Sequence, residues 1–226
     1  MKSGFTEAVR LETGPDAPLA LGWKHMFIAL WRGIFPLIRA NLCLLLFCLP
    51  VVTIPAACCA LHGICLDVIR DRPVRVFHLY LRAVREQSLP TWGAALCLGT
   101  AELVSVVGAV FYFQRSPDMW LFLIPGLICC AAAVAGLLML PYVFTMLARV
   151  DLTLKQVLKN AFLLVFLDLK FSVCGGVIFL SLAAAQLALF WRAIPLILTI
   201  GISAAVYFTT YFCLYGLQRF ILTEEL

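Results

Sequence analysis

The chain has 226 residues, 64% of them hydrophobic and only 13% charged, with a mean hydropathy of +1.03. That composition excludes a soluble globular domain and places the chain among helical membrane proteins. The formal charge of +5 is carried in short gaps between apolar stretches, which directs it toward an anionic membrane surface and away from nucleic acid.

Within residues 1–20, Lys2, Glu7, Arg10, Glu12 and Asp16 interrupt any apolar core, so this stretch does not read as a secretory signal. The first membrane helix is expected to direct insertion. Residues 19–41 mix Trp23, Lys24, His25, Trp31, Arg32 and Arg39 with apolar side chains, the composition of a segment lying at the headgroup level. A first span is predicted over 33–49 and a second over 54–70. Between them stand Pro50 and Pro55, with Thr53 in the middle. Proline removes a backbone donor and collides with the preceding turn, so two at one depth must break the helix. Two readings follow: a pair of full spans joined by a tight turn, or a shallow re-entrant hairpin over 41–65.

Asp71 as an N-cap, with Pro73 in the first turn, introduces a helix over 74–88. Arg75, His78, Arg82 and Arg85 recur at steps of three and four and share one face, while Phe77, Tyr80, Leu81 and Val84 form the other. Such a helix suits an anionic inner leaflet or a docking partner. The third span, 91–113, carries Gly93, Cys97, Ala101, Ser105 and Ala109 at a four-residue spacing that admits a close neighbour. After a loop at 114–118 the fourth span, 119–148, contains Pro125 and Pro141 near its ends and Cys130, Ala133 and Gly136 in its middle. Arg149 and Asp151 open a second amphipathic helix, 152–164, with Asp151, Lys155 and Lys159 on one face. A fifth span over 171–191 follows Asp168 and Lys170, and a turn at 192–195 leads to a sixth over 196–217.

The expected architecture is an all-α polytopic membrane bundle of six spans, or five, or one whose first hairpin is re-entrant, with two cytoplasmic amphipathic helices. Residues 1–32 form an interfacial segment, 33–217 one integral membrane domain and 218–226 a cytoplasmic tail. With six spans and the N-terminus inside, only Arg115 and Arg192 of the seventeen Lys and Arg residues face outward, so both termini are expected in the cytoplasm. The 21-residue spacing from Asp71 to Trp92 recurs from Asp151 to Ser172, a hint of internal repetition.

Glu102 is the one acid deep within a predicted span, where an ionised carboxylate is expensive. With His62, Gln186 and Tyr207 it forms a candidate intramembrane polar site; the alternative is a neutral Glu102 bonded to an adjacent helix as packing glue. Thr199, Ser203, Tyr207 and Thr210 share a face of the sixth span, fit either for a polar path or for helix-to-helix bonds. Cys58, Cys59, His62 and Cys65 fall within two turns, but two or three ligands on one helix do not complete a metal site, and all ten cysteines read as small packing residues. No metal or cofactor is expected. Without a glycine-rich phosphate loop, a G-x-S-x-G elbow, an H-E-x-x-H pair or paired carboxylates, the chain does not read as an enzyme.

The stretch from Asn41, N-x-L…L-P-V-V-T-x-x-x-A…A-L, with Asn41, Leu49, Pro50, Thr53, Ala57 and Ala60 at its fixed points, resembles the YesL-like family of bacterial integral membrane proteins. The resemblance covers residues 19–87, and Cys58 and Cys59 depart from the small or hydroxylated residues expected there. It implies a small multi-pass protein of the bacterial cytoplasmic membrane, non-enzymatic, accessory to carbohydrate uptake and partnered by the lipid bilayer and a sugar transporter subunit. It supplies no functional residues. Two functions are therefore expected in competition: an interaction protein docking through Arg75, Arg82 and Arg85, or a small-solute permease or channel with its polar path near Glu102.

Overall fold

The computed structural model describes residues 22–115, 120–148, 153–188 and 197–222, which form helices joined by short turns with no strand among them. In chain order these are α1 (Trp23–Arg32), α2 (Ile34–Phe47), α3 (Ile54–Ile69), α4 (Val76–Glu86), α5 (Ser88–Arg115), α6 (Leu123–Leu147), α7 (Leu154–Leu167), α8 (Leu169–Ala188) and α9 (Ile202–Leu222). A 3-10 turn at Val51–Thr53 precedes α3, another at Trp120–Phe122 precedes α6, and a π turn at Ile197–Gly201 leads into α9.

Among the described residues four segments are long and apolar enough to cross a membrane: Val51–Ile69, Ser88–Arg115, Trp120–Leu147 and Leu169–Gln186. A fifth is reached if α1 and α2 count as one broken span. Six spans are not confirmed; the described residues give four candidates, or five, the alternative count. The predicted first span, 33–49, starts at the bend where α1 and α2 meet at 67°, and α2 has only 14 residues, ~21 Å of rise against ~30 Å of hydrocarbon. The predicted sixth span falls on the π turn and α9, which together run over Ile197–Leu222.

α3 is the centre of the packing. Burial covers 78% of its most apolar window, against 11% for each of the other three, so α3 is enclosed by protein while the others are free to face lipid. The proline-containing turn before it forms as expected: Thr53 Oγ1 donates to the carbonyls of Phe47 and of Pro50, the latter at 2.8 Å. Its tip lies beside the first turn of α5, where Trp92 Nε1 donates to Val52 O at 2.6 Å. The pairs that join α3 to α6 lie at the last turns of α6: the His62 ring 5.6 Å from that of Phe144, and Gly63 against Ala148. The α2–α3 hairpin therefore packs at the end of the bundle where α5 begins and α6 finishes.

Asp71 does not cap the following helix. It adopts φ 51° and closes α3 as the left-handed residue of a Schellman motif, with Asp71 N donating to Val68 O at 3.2 Å and Arg72 N to Asp67 O at 2.9 Å. Aspartate is one of the few residues besides glycine that tolerate this conformation. The N-cap of α4 is Arg75, whereas α7 begins on a capping box in which Thr153 and Gln156 serve each other's backbone. Arg149 and Asp151, the turn 192–195 and residues 223–226 of the tail lie outside the described residues.

α5 and α6 pair antiparallel with a small residue opposite a large one: Gly108 against Cys129, Gly126 against Tyr112 and Phe113, Gly136 against Glu102. The predicted stripe on α5 is only partly used, because Cys97 and Ala101 are exposed. α8 and α9 form a second antiparallel pair, in which Gly175 meets Phe212 and Phe171 meets Tyr215.

Candidate functional site

Three places gather the polar groups that sequence reasoning singled out. The first is the surface helix α4. Val76, Tyr80 and Ala83 recur at four and three residues and are buried. Tyr80 is pinned twice, its ring stacked on Phe47 at 5.4 Å and its hydroxyl donating to Ala40 O at 2.9 Å. Burial raises the pKa of that phenol well above the ordinary tyrosine value, so it stays a donor. The remaining face exposes Arg75, His78, Arg82 and Arg85, with Arg82 held by Glu86 at 2.8 Å. Phe77 and Leu81, expected on the inner face with Tyr80, are instead 55% and 47% exposed, because the groove between α2 and α3 accepts only a narrow stripe. α7 lies at the same end of the bundle, its Leu154 against Gly93, and it adds exposed Lys155 and Lys159.

The second place is the junction where the π turn becomes α9. Ser203 N, an amide of the first turn of α9 that has no partner within its helix, donates to Asn41 Oδ1 at 3.1 Å. Asn41 is fully buried on α2, 162 residues away in sequence. Two residues before, Gly201 O accepts from Gln186 Nε2 at 2.9 Å. One turn further, Tyr207 donates to Met26 O at 2.9 Å, and Tyr211 donates to Gly22 O at 3.0 Å, so two tyrosines of α9 hold carbonyls one turn apart at the N-cap and first turn of α1. Asn41, Gln186 and Tyr207 thus share this region. Ser203 and Thr210 give their hydroxyls to carbonyls of their own segment, Ile200 at 3.1 Å and Val206 at 2.8 Å. The hydroxyls of Ser203, Tyr207 and Thr210 are thus given to backbone carbonyls.

The third is Glu102. It lies midway along α5, its carboxyl over the notch that Gly136 leaves in α6. His62 is not beside it. His62 lies tilted against Phe144, eight residues and so ~12 Å along α6 from Gly136, and its Nδ1–H donates to Cys58 O at 2.9 Å. The structure therefore separates the Glu102 and His62 pair, and puts Gln186 and Tyr207 in the α9 junction.

A further buried polar group went unread in the sequence. Tyr142 of α6 and Ser172 of α8 share a hydrogen bond of 2.7 Å, with Asp168 at the α7–α8 corner and Cys213 of α9 buried around them. Only Asp168, as an acid at a helix start, offered any local signal. Cys58, Cys59, His62 and Cys65 turn to different neighbours: Cys59 Sγ lies 3.6 Å from Phe144 O, and Cys65 Sγ 4.0 Å from Ser203 O. Among the described residues no three His, Cys, Asp or Glu side chains converge as metal ligands. No family model, curated protein or solved structure matches this chain, so the geometry of these three places is what a function has to be argued from.

Proposed function

We propose that this is a non-enzymatic accessory protein of a bacterial cytoplasmic membrane, of the YesL-like kind, which docks a carbohydrate-uptake transporter through α4. In this reading α4 and α7 face the cytoplasm, both termini lie there, and the α2–α3 hairpin is re-entrant. The observation that carries it is the rigid display of a basic helix: Val76, Tyr80 and Ala83 lock α4 to α2 and α3 while Arg75, Arg82 and Arg85 project. A helix whose only role is to rest on lipid headgroups needs no hydrogen-bonded anchor in the protein. Exposed Phe77 and Leu81 beside the arginines supply the apolar anchors that a helix-borne interface uses.

The expected result is that the intact protein, purified in mild detergent, carries a stoichiometric transporter subunit, and that changing Arg75, Arg82 and Arg85 together to Gln lowers its recovery at least about tenfold while leaving helix content unchanged. A protein that purifies alone, or a partner indifferent to the three substitutions, overturns the docking reading.

A second reading, a small-solute permease, is favoured by Glu102 alone, a carboxyl at mid-span in a notch between two helices. Glu102→Gln is expected to keep the fold within about 0.5 kcal/mol of the parent in detergent unfolding, since Gln fills the same notch. Proton-coupled flux in proteoliposomes that is present in the parent and lost in this variant would promote the second reading over the first.

A further inference from the structure

Halfway along their lengths α5 and α6 leave the shared core. Leu98, Leu138 and Met139 are the least buried members of the apolar cluster around α6 and α7, and they mark its edge. No residue of α5 after Leu98 is buried, and within residues 120–137 only Gly126 is, against Tyr112 and Phe113 of α5. From that edge outward the hairpin is covered by nothing but itself.

Glu102 stands at the edge, one turn beyond Leu98 and on the same side of α5. Its carboxyl lies over Gly136, whose Cα offers no donor, and among the described residues no hydrogen bond or ion pair reaches it. The hydroxyls nearest in sequence are committed elsewhere: Thr100 donates to Leu96 O and Ser105 to Ala101 O, both at 2.8 Å. Arg115, the one cation of α5 and α6, is thirteen residues away and lies over the Phe111 ring at 4.5 Å. The groups beside the carboxyl are small. Gly99 has open space where a Cβ would stand, and Ala132, one turn before Gly136, is exposed, so the backbone of another helix can come close.

Depth narrows the occupant. Glu102 is fourteen residues from Ser88 and thirteen from Arg115, so ~20 Å of helix separates it from either end of the span. Headgroup amines do not reach that depth, and hydrocarbon supplies no donor. A diffusing metal ion would meet a single carboxylate, since among the described residues no three such ligands gather. A cation carried on a second membrane helix arrives at the right depth, and each charge then relieves the cost of the other.

We infer that the edge of the α5–α6 hairpin at Glu102 seats a membrane helix of a partner protein that carries a lysine or arginine at mid-depth. The site is separate from docking through α4, and its test makes no use of α4.

Energy transfer between the labelled full chain and a labelled model peptide in phosphatidylcholine vesicles tests it. The peptide is a leucine helix about 22 residues long with lysines at both ends, bearing either Lys or Leu at its centre. The central-Lys peptide is expected to associate about tenfold more tightly than the central-Leu one, equivalent to about 1.4 kcal/mol. Moving that Lys toward one end is expected to remove the preference. Glu102→Gln in the chain is expected to remove it too, and unchanged helix content in that variant separates lost pairing from lost folding. Equal association of the two peptides, which leaves the face to lipid, or an undiminished preference in Glu102→Gln overturns the assignment. So does energy transfer between two labelled copies of the chain that disappears in Glu102→Gln, which would make the occupant a second copy.

Discussion

Replacing Gly33 by Leu is expected to remove folded protein from the membrane fraction, and Gly33→Ala to destabilise it by roughly 1–3 kcal/mol. The cause is space, not backbone freedom, because φ at Gly33 is an unremarkable −86°. A Cβ there overlaps Val68 Cγ1 and comes within 3.0 Å of Ala29 O and 3.3 Å of Val68 Cβ. Val68 is buried and stiff about χ1, and Ala29 O accepts the hydrogen bond of Gly33 N at 2.8 Å, so neither yields cheaply. The 67° bend between α1 and α2 thus depends on bare backbone against α3. Val68→Ala in the Gly33→Ala background is expected to recover most of the loss in a double-mutant cycle of detergent unfolding. A Gly33→Ala protein as stable as the parent, or a Val68→Ala change that rescues nothing, would show that the bend does not rest on this contact.

The second large effect is expected at Asn41. Asn41→Leu deletes the acceptor of Ser203 N and leaves a buried amide without its partner at the start of α9, at a cost of about 2 kcal/mol. Water does not repair the loss, since Asn41 and Ser203 are both fully buried. The opening should be local and visible at Cys65, a buried thiol 4.0 Å from Ser203 O. Site-resolved maleimide labelling of Cys65 should accelerate about thirtyfold, the equivalent of that energy, while exposed Cys97 on α5 labels at its former rate. Unchanged labelling at Cys65 would mean that Asn41 is not what secures the junction.

These two residues show what kind of information a linear pattern holds. Asn41 was marked by the resemblance and by its polarity in an apolar run, yet nothing local names Ser203 as its partner. Gly33 carried no mark at all, since its requirement arises from a side chain on another helix. Glu102 was legible as an acid in mid-span, but its pairing with His62 was inferred from shared membrane depth, and depth says nothing about azimuth around a helix. Asp71 was misread for a related reason: an acid between two helices caps either one, and only the φ of 51° decides for the end of α3.

By itself the sequence determined the class of protein, the positions of most helices, the break at Pro50 and Pro55 and the gathering of cations beside α4 and α7. These follow from hydropathy, proline chemistry and charge, each a property of a residue and its near neighbours. Only the tertiary structure decided that α3 is the enclosed centre, that α1 and α2 bend by 67° at Gly33, and that Asn41, Gln186 and Tyr207 meet around α9 while Glu102 and His62 do not. In a bilayer an apolar side chain is equally at home against lipid or against protein, so hydropathy cannot say which face of a span is inward. That choice is made by the fit of small residues to large ones and by where each buried polar atom finds its partner.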